Sequence, residues 1–175
     1  QLWRDARLPA VFDADALWAL GQISSTNLAM HAGPRVVTPH AGEMLRLVGR
    51  DPADPDSRDR AVLADLARRF AAATGAIVVL KGAGTLVVGN GRESVNETGN
   101  PGMATAGTGD VLTGVVAALL AQGMAPFDAA RLAVWVHGAA GDSAAEDLGH
   151  VSMTARDVLD RLHVGFKSVE TAQAT

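Results

Sequence analysis

The chain has 175 residues, 48% of them hydrophobic, and a formal net charge of −4, which fits one α/β domain with a substantial core. It contains no cysteine, which excludes disulfides, thiolate metal sites and cysteine nucleophiles, and no basic cluster of the kind that binds nucleic acid or anionic membranes. Because no signal peptide pattern or membrane-spanning apolar run is present, we expect a cytoplasmic enzyme.

The first predicted strand, Ala10–Phe12, leads into the sequence D-A-D-A-L and a helix. Turn and cap chemistry explains Asp15 best, whereas Asp13 stays open as a polar group at the carboxyl end of a strand. We expect Trp18 and Leu20 to face the core.

A second strand is predicted at 35–38, followed by a turn with His40 and a helix at 44–48. His40 stands at the carboxyl end of the strand, where open α/β sheets bind ligands, so it is either a substrate contact or a plain loop residue. Glu43 could simply complement the dipole of the helix in its first turn.

An amphipathic helix is predicted at 58–73, with its arginines on a solvated face. The β-branched run at 76–80 predicts a strand buried on both faces, with return strands at 85–88 and near 94–96. The turn Lys81-Gly82-Ala83-Gly84-Thr85 is either a plain hairpin or a place where a nucleotide lies, the glycines allowing close approach and the lysine supplying charge. Neither G-x-x-x-x-G-K-[ST] nor G-x-G-x-x-G occurs, which argues against a P-loop or a Rossmann site.

A glycine-rich stretch precedes Asp110, where we predict that an apolar helix starts and runs to residue 121. The amides of Gly107, Thr108 and Gly109 would form an anion hole, because the first N–H groups of a helix lack partners and lie at the positive end of its dipole. Asp110 is either the N-cap of this helix or a general base. Close packing is expected at Gly114.

The remaining pattern predicts a helix at 127–145 in which His137 is a hydrogen-bonded core residue, with close packing at Gly138 and Gly141. Thr154-x-x-Asp157 has the form of a capping box. The predicted domain spans residues 1–165, and a flexible tail is expected over 166–175.

Three strings together resemble the ADP-dependent NAD(P)H-hydrate dehydratase family: T-P-H-A-G-E-M at 38–44, V-L-K-G-A-G-T at 79–85 and T-G-N-P-G-M-A-T-A-G-T-G-D at 98–110. The resemblance implies a ribokinase-like α/β fold, with a mostly parallel central sheet, helices on both faces and a β-hairpin at the nucleotide side. It implies repair of hydrated NADH or NADPH, coupled to conversion of ADP to AMP and phosphate.

The resemblance also assigns roles to residues. Asp110 would be the catalytic base that activates the substrate hydroxyl. The implied substrate contacts are His40, Asn100 and Asp110; the implied nucleotide contacts are Lys81, Gly82, Ala83, Gly84, Thr85 and Gly109. Glu43 would hold Mg²⁺ through water, as the acidic residue of the superfamily's N-x-x-E motif, although His40 stands where that motif has Asn.

Members of this family carry further strands before the D-A-D-A-L stretch that have no counterpart in these residues. We therefore expect weak turnover without them, and association into a homo-oligomer through an exposed strand edge. Two alternatives remain: a ribokinase-like kinase of a vitamin-precursor alcohol, and a noncatalytic nucleotide-binding module.

Overall fold

The computed structural model describes residues 1–173 as one five-stranded sheet with helices on both faces. The strands are β1 (Ala10–Phe12), β2 (Arg35–Val37), β3 (Ile77–Leu80), β4 (Leu86–Gly89) and β5 (Arg92–Val95). The helices are α1 (Leu2–Asp5), α2 (Asp15–Leu20), α3 (Ser25–Leu28), α4 (Ala41–Leu47), α5 (Arg60–Thr74), α6 (Thr108–Ala121), α7 (Pro126–Ser152), α8 (Ala155–Asp160) and α9 (Leu162–Gln173), with 3₁₀ turns at Pro55–Arg58 and Pro101–Met103. Helix α7 is interrupted at Gly149, where the backbone φ of 71° is not helical.

The strands follow each other across the sheet in chain order. β1, β2 and β3 are parallel, whereas β4 and β5 form an antiparallel hairpin at one side. The predicted α/β fold with its hairpin is confirmed, and parallel pairing is limited to the first three strands. Because parallel strands end at the same edge, the residues that follow β1, β2 and β3 meet there.

The sheet separates two apolar clusters. One face of the sheet, represented by Val78, packs against the helix side chains Leu17, Leu45, Leu63 and Phe70. The opposite face, represented by Val79, packs against Val116, Leu119, Ala130 and Val134. Successive side chains of a strand point to opposite faces, so the β-branched run of β3 serves both clusters at once.

Trp18 does not face the core as expected. Its exposed fraction is 61%, because Leu17 and Leu20, three residues apart on α2, occupy the buried face and turn the intervening indole outward. The indole lines a cavity of about 310 Å³ together with Ala14, Asp15, Glu43 and Arg46.

Two further expectations are wrong. An added Cβ at Gly114 would meet no atom within 4 Å, so no close packing accounts for that glycine. The expected flexible tail is helical through Gln173, since Gly165 lies against the backbone of Val136 and Phe166 packs on the second apolar cluster. Residues 174 and 175 lie outside the described part of the chain.

Within residues 1–173, no helix is both long and apolar enough to cross a lipid bilayer.

Candidate functional site

An ion pair joins the ends of the parallel strands. Lys81, directly after β3, donates from Nζ to Asp13 Oδ1 at 2.7 Å, and Glu43 Oε2 lies 3.6 Å from the same nitrogen. The amide of Lys81 also donates to the carbonyl of Pro39, 2.8 Å away, which fixes the two turns side by side. The lysine that the sequence assigned to nucleotide charge is therefore already held by carboxylates.

Asp13 is the side chain that the sequence left open. Its second oxygen, Oδ2, accepts from Thr113 Oγ1 at 3.0 Å. Burial alone would raise the pKa of the Asp13 carboxyl, but hydrogen bonding and charge from Lys81, with hydrogen bonds from Thr38 and Thr113, lower that pKa below its ordinary value. Asp13 is consequently ionised at neutral pH.

His40 is the N-cap of α4 and forms a capping box with Glu43. His40 Nδ1 accepts from the Glu43 amide at 3.3 Å, and Glu43 Oε2 accepts from the His40 amide at 2.8 Å. Most of the His40 ring stays exposed beside the Lys81 pair. Glu43 thus lies in the first turn of the helix, as the sequence suggested, whereas the capping role of His40 was not predicted. The His40 ring stays accessible to a ligand.

The glycine-rich turn begins α6 two residues earlier than predicted. Gly107 is the N-cap, with a φ of 90° that favours glycine, and Asp110 is the third residue of the helix. The N-cap interpretation of Asp110 is therefore wrong. Its carboxylate is exposed, and within residues 1–173 neither a hydrogen bond nor an ion pair engages it.

The amides of this turn are available to a ligand. No oxygen of the described residues accepts from the N–H groups of Gly107, Gly109 or Asp110, whereas the Thr108 amide points to the Thr105 carbonyl at 3.5 Å. Three unpartnered amides at the positive end of a helix dipole are suited to an anion. An added Cβ on Gly109 would lie 3.5 Å from Lys81 Nζ and 3.6 Å from Asp13 Oδ2, so the lysine stands beside this turn.

His137 holds the turn from the protein interior. Its Nε2 donates to the Thr108 carbonyl at 2.9 Å, and the residue is only 9% exposed, which confirms the prediction of a hydrogen-bonded core histidine. Burial lowers the pKa of His137 to about 4, against a smaller rise from the hydrogen bond to Thr108. The imidazole is neutral at physiological pH.

Arg60, on α5, binds the backbone of the loop 81–85, although sequence reasoning had placed it on a solvated face. Its guanidinium donates to the carbonyls of Leu80 at 2.9 Å, Lys81 at 3.2 Å and Gly84 at 2.7 Å. Gly82 and Gly84 have positive φ values of 135° and 61°. A clue existed in the sequence, since Arg60 opens a helix directly before the buried strand that ends at this loop.

Asn100 lies at the other end of the glycine-rich stretch. Its Oδ1 accepts from the Gly102 amide at 3.0 Å, and its Nδ2 donates to Asp142 Oδ1 at 3.1 Å. Asp142 Oδ2 also accepts from the Gly99 amide at 2.8 Å, a role that nothing in the local sequence of α7 indicated. Both polar atoms of the Asn100 side chain therefore have partners that shape the start of the stretch.

Glu43 does not fit a direct metal ligand. Oε2 is shared between the His40 amide and Lys81, and Oε1 lies 3.4 Å from His40 Nε2. In the described part of the chain, no group of three or more His, Asp or Glu side chains could hold a metal ion.

Comparison with known proteins places this arrangement in a family. The chain matches the family described as NAD(P)H-hydrate dehydratase over residues 1–163. It is 46% identical over 165 residues to the bifunctional NAD(P)H-hydrate repair enzyme of Moorella thermoacetica, covering 94% of this chain and 30% of the relative. It is also 46% identical over 143 residues to the ADP-dependent (S)-NAD(P)H-hydrate dehydratase of Neisseria meningitidis, covering 81% of this chain and 47% of the relative.

A solved structure agrees with the sequence comparisons. The ADP/ATP-dependent NAD(P)H-hydrate dehydratase of Bacillus subtilis, crystallised with ATP and Mg²⁺, superimposes with a TM-score of 0.79 at 30% identity and covers 93% of this chain and 56% of that one. The chain thus spans about a third to a half of the length of these curated relatives. On the family match, the identities and the shared fold, this chain belongs to the NAD(P)H-hydrate dehydratase family.

Proposed function

We propose that the protein dehydrates the S epimer of hydrated NADH or NADPH, coupled to conversion of ADP to AMP and phosphate. The observation that carries this proposal is the turn at 107–110, where three amides without acceptors stand beside the unpaired carboxylate of Asp110. The relatives named for this reaction support the choice of substrate.

In the proposed reaction, Asp110 accepts the proton of the substrate hydroxyl. The hydroxyl oxygen bonds to the terminal phosphorus of ADP while the bond from that phosphorus to the bridging oxygen breaks, releasing AMP. Phosphate then leaves the ring with the electron pair of its C–O bond, and a proton leaves the adjacent ring carbon. The ring double bond forms, so the sum is NAD(P)H hydrate plus ADP to NAD(P)H, AMP and phosphate.

The amides of Gly107, Gly109 and Asp110 would bind the transferred phosphoryl group. The Thr108 amide, which the sequence placed in the anion hole, is left out of this proposal because it points to the Thr105 carbonyl. The loop 81–85 would carry the nucleotide, with Lys81 beside the phosphates. We propose that His40 contacts the substrate through its exposed ring and that Asn100 acts through the shape of the stretch that it caps.

The relative crystallised with ATP and Mg²⁺ supports a magnesium nucleotide as co-substrate. Because the Glu43 carboxylate is already engaged, we propose that Mg²⁺ arrives on the nucleotide phosphates and reaches Glu43 only through water. A cytoplasmic homo-oligomer remains part of this proposal.

Incubation of the protein with hydrated NADH and ADP tests the proposal. Return of the nicotinamide absorbance together with AMP and phosphate is expected. Formation of a stable phosphorylated alcohol instead would assign a kinase, and ADP binding without any chemistry would assign a binding module.

A further inference from the structure

Asp13 links three parts of the site. The residue follows β1, its Oδ1 accepts from Lys81 after β3, and its Oδ2 accepts from Thr113 on α6. The side chains of Asp13 and Lys81 are 10% and 21% exposed, so the pair is largely withdrawn from water. Exposed ion pairs contribute little to stability, and the Asp13–Lys81 pair is not of that exposed kind.

The contact from Thr113 to Asp13 lies on the same face of α6 as Gly109. Thr113 is four residues beyond Gly109, and residues four apart share one face of a helix. A Cβ on Gly109 would touch both Lys81 Nζ and Asp13 Oδ2 without clashing with either. The hydrogen bond from Thr113 therefore fixes the face of α6 on which Gly109 lies next to Lys81.

A carboxylate beside an anion-binding turn disfavours binding of the anion, so the position of Asp13 calls for another explanation. Asp13 repels phosphate, and Glu43 adds a second negative charge 3.6 Å from Lys81. A lysine side chain is long and flexible, and holding its ammonium in one place costs side-chain entropy. Asp13 holds it beside the amide turn before any ligand binds.

We propose that Asp13 and Thr113 are positioning residues that hold the Lys81 ammonium and the first turn of α6 in register, so that both meet the same phosphate of the nucleotide. This inference rests on the proposed function. It assigns the two residues no contact with substrate. It also predicts that loss of the Asp13 charge weakens nucleotide binding, whereas simple charge repulsion predicts stronger binding.

Asp13→Asn is the variant that separates the two signs. If Asp13 acted only as a nearby negative charge, its removal would strengthen ADP binding; if it positions Lys81, ADP binding weakens. We expect about tenfold weaker binding by calorimetry, the size of one charge-assisted hydrogen bond. In a Lys81→Met background, Asp13→Asn should cause no further weakening, because the group that it positions is gone.

Thr113→Val tests the helix contact without changing charge. It removes the hydroxyl that donates to Asp13 and keeps the shape of the side chain, so we expect ADP binding about fivefold weaker. Thr113→Ser keeps a donor and should restore most of the affinity. Asp65→Asn, which breaks an exposed ion pair with Arg69 on α5, is the matched control and should bind ADP as the unaltered chain does.

The outcomes separate this inference from the function on which it rests. Equal or tighter ADP binding by Asp13→Asn, or a lower melting temperature for Thr113→Val with unchanged affinity, overturns the positioning role alone. Absence of ADP binding by the unaltered chain overturns the proposed function as well. If Asp13→Asn does not fold, the comparison of Thr113→Val with Thr113→Ser decides.

Discussion

The two glycine turns of the site are built alike and charged differently. In each, a basic side chain from a neighbouring helix binds carbonyl oxygens: Arg60 holds the loop 81–85, and His137 holds the turn at 107–110. The guanidinium is a permanent cation, whereas the buried imidazole is neutral. A cation at the first turn is consistent with the proposed nucleotide site, and a neutral group at the second gives Asp110, the proposed base, no counter-ion.

The largest expected effect is on the second turn. Asp110→Asn removes the proposed base and keeps the amides, so turnover should fall by about 10²–10⁴-fold while ADP affinity is kept or improved. Steady-state kinetics of the dehydration and calorimetry with ADP measure the two quantities. Asp160→Asn, in an exposed ion pair with Arg156, serves as the control. Unchanged turnover in Asp110→Asn would remove the base from the mechanism.

The first turn is disrupted by Arg60→Met. The carbonyls of Leu80, Lys81 and Gly84 lose their common donor, and we expect the free energy of unfolding to fall by roughly 2–3 kcal/mol. ADP binding should weaken as well. Arg69→Met, on an exposed position of the same helix, should change neither urea unfolding nor ADP affinity. A normal affinity in Arg60→Met would show that the loop keeps its shape without the guanidinium.

Acidification distinguishes the two basic groups. The folded-state pKa of His137, about 4, lies below its ordinary value of 6.5, so the unfolded chain binds the proton first and the stability due to neutral His137 is complete only above pH 6.5. As the pH falls from 7 to 4.5, this residue alone should remove about 2–3 kcal/mol of stability. Urea unfolding at both pH values measures the loss. His137→Gln lacks the titrating group, and an equal loss in that variant would contradict the assignment.

The smallest effect concerns the helix behind the second turn. Gly114 lies inside α6 with open space around it, so Gly114→Ala should raise the free energy of unfolding by about 1 kcal/mol and leave ADP affinity unchanged. Gly138→Ala is the opposite case, because its Cβ would clash with Thr98 Oγ1 and the Thr98 backbone, and it should destabilise the protein. Loss of stability in Gly114→Ala would mean that α6 packs more tightly than described.

Local sequence predicted the elements well where a local pattern determines them. The β-branched run of β3, the capping box of Thr154 and Asp157, and the helix behind the glycine-rich turn all formed as expected. The buried, hydrogen-bonded state of His137 was also predictable, since its neighbours in the sequence of the helix are mostly apolar. The roles of Asp110, His40 and the loop 81–85 remain predictions that the family relationship supports.

What escaped prediction depends on contacts between distant parts of the chain. Asp13 meets Lys81 across 68 residues, and Asn100 meets Asp142 across 42. In the amphipathic pattern of α5, Arg60 cannot be told apart from a solvent-exposed arginine. Its hydrogen bonds to the loop 81–85 follow only from the position of that loop beside α5. The helix after residue 165 was missed for the same reason, because its order comes from packing on α7.

The sheet keeps its two apolar layers apart, and this has a consequence for protein engineering. Leu63 and Leu119, for example, belong to different apolar clusters on opposite faces of the sheet. Energetic changes at independent sites add, so stabilising substitutions selected separately in each layer could be combined by simple summation. The thermal tolerance of this protein could then be raised in steps without altering its polar chemistry.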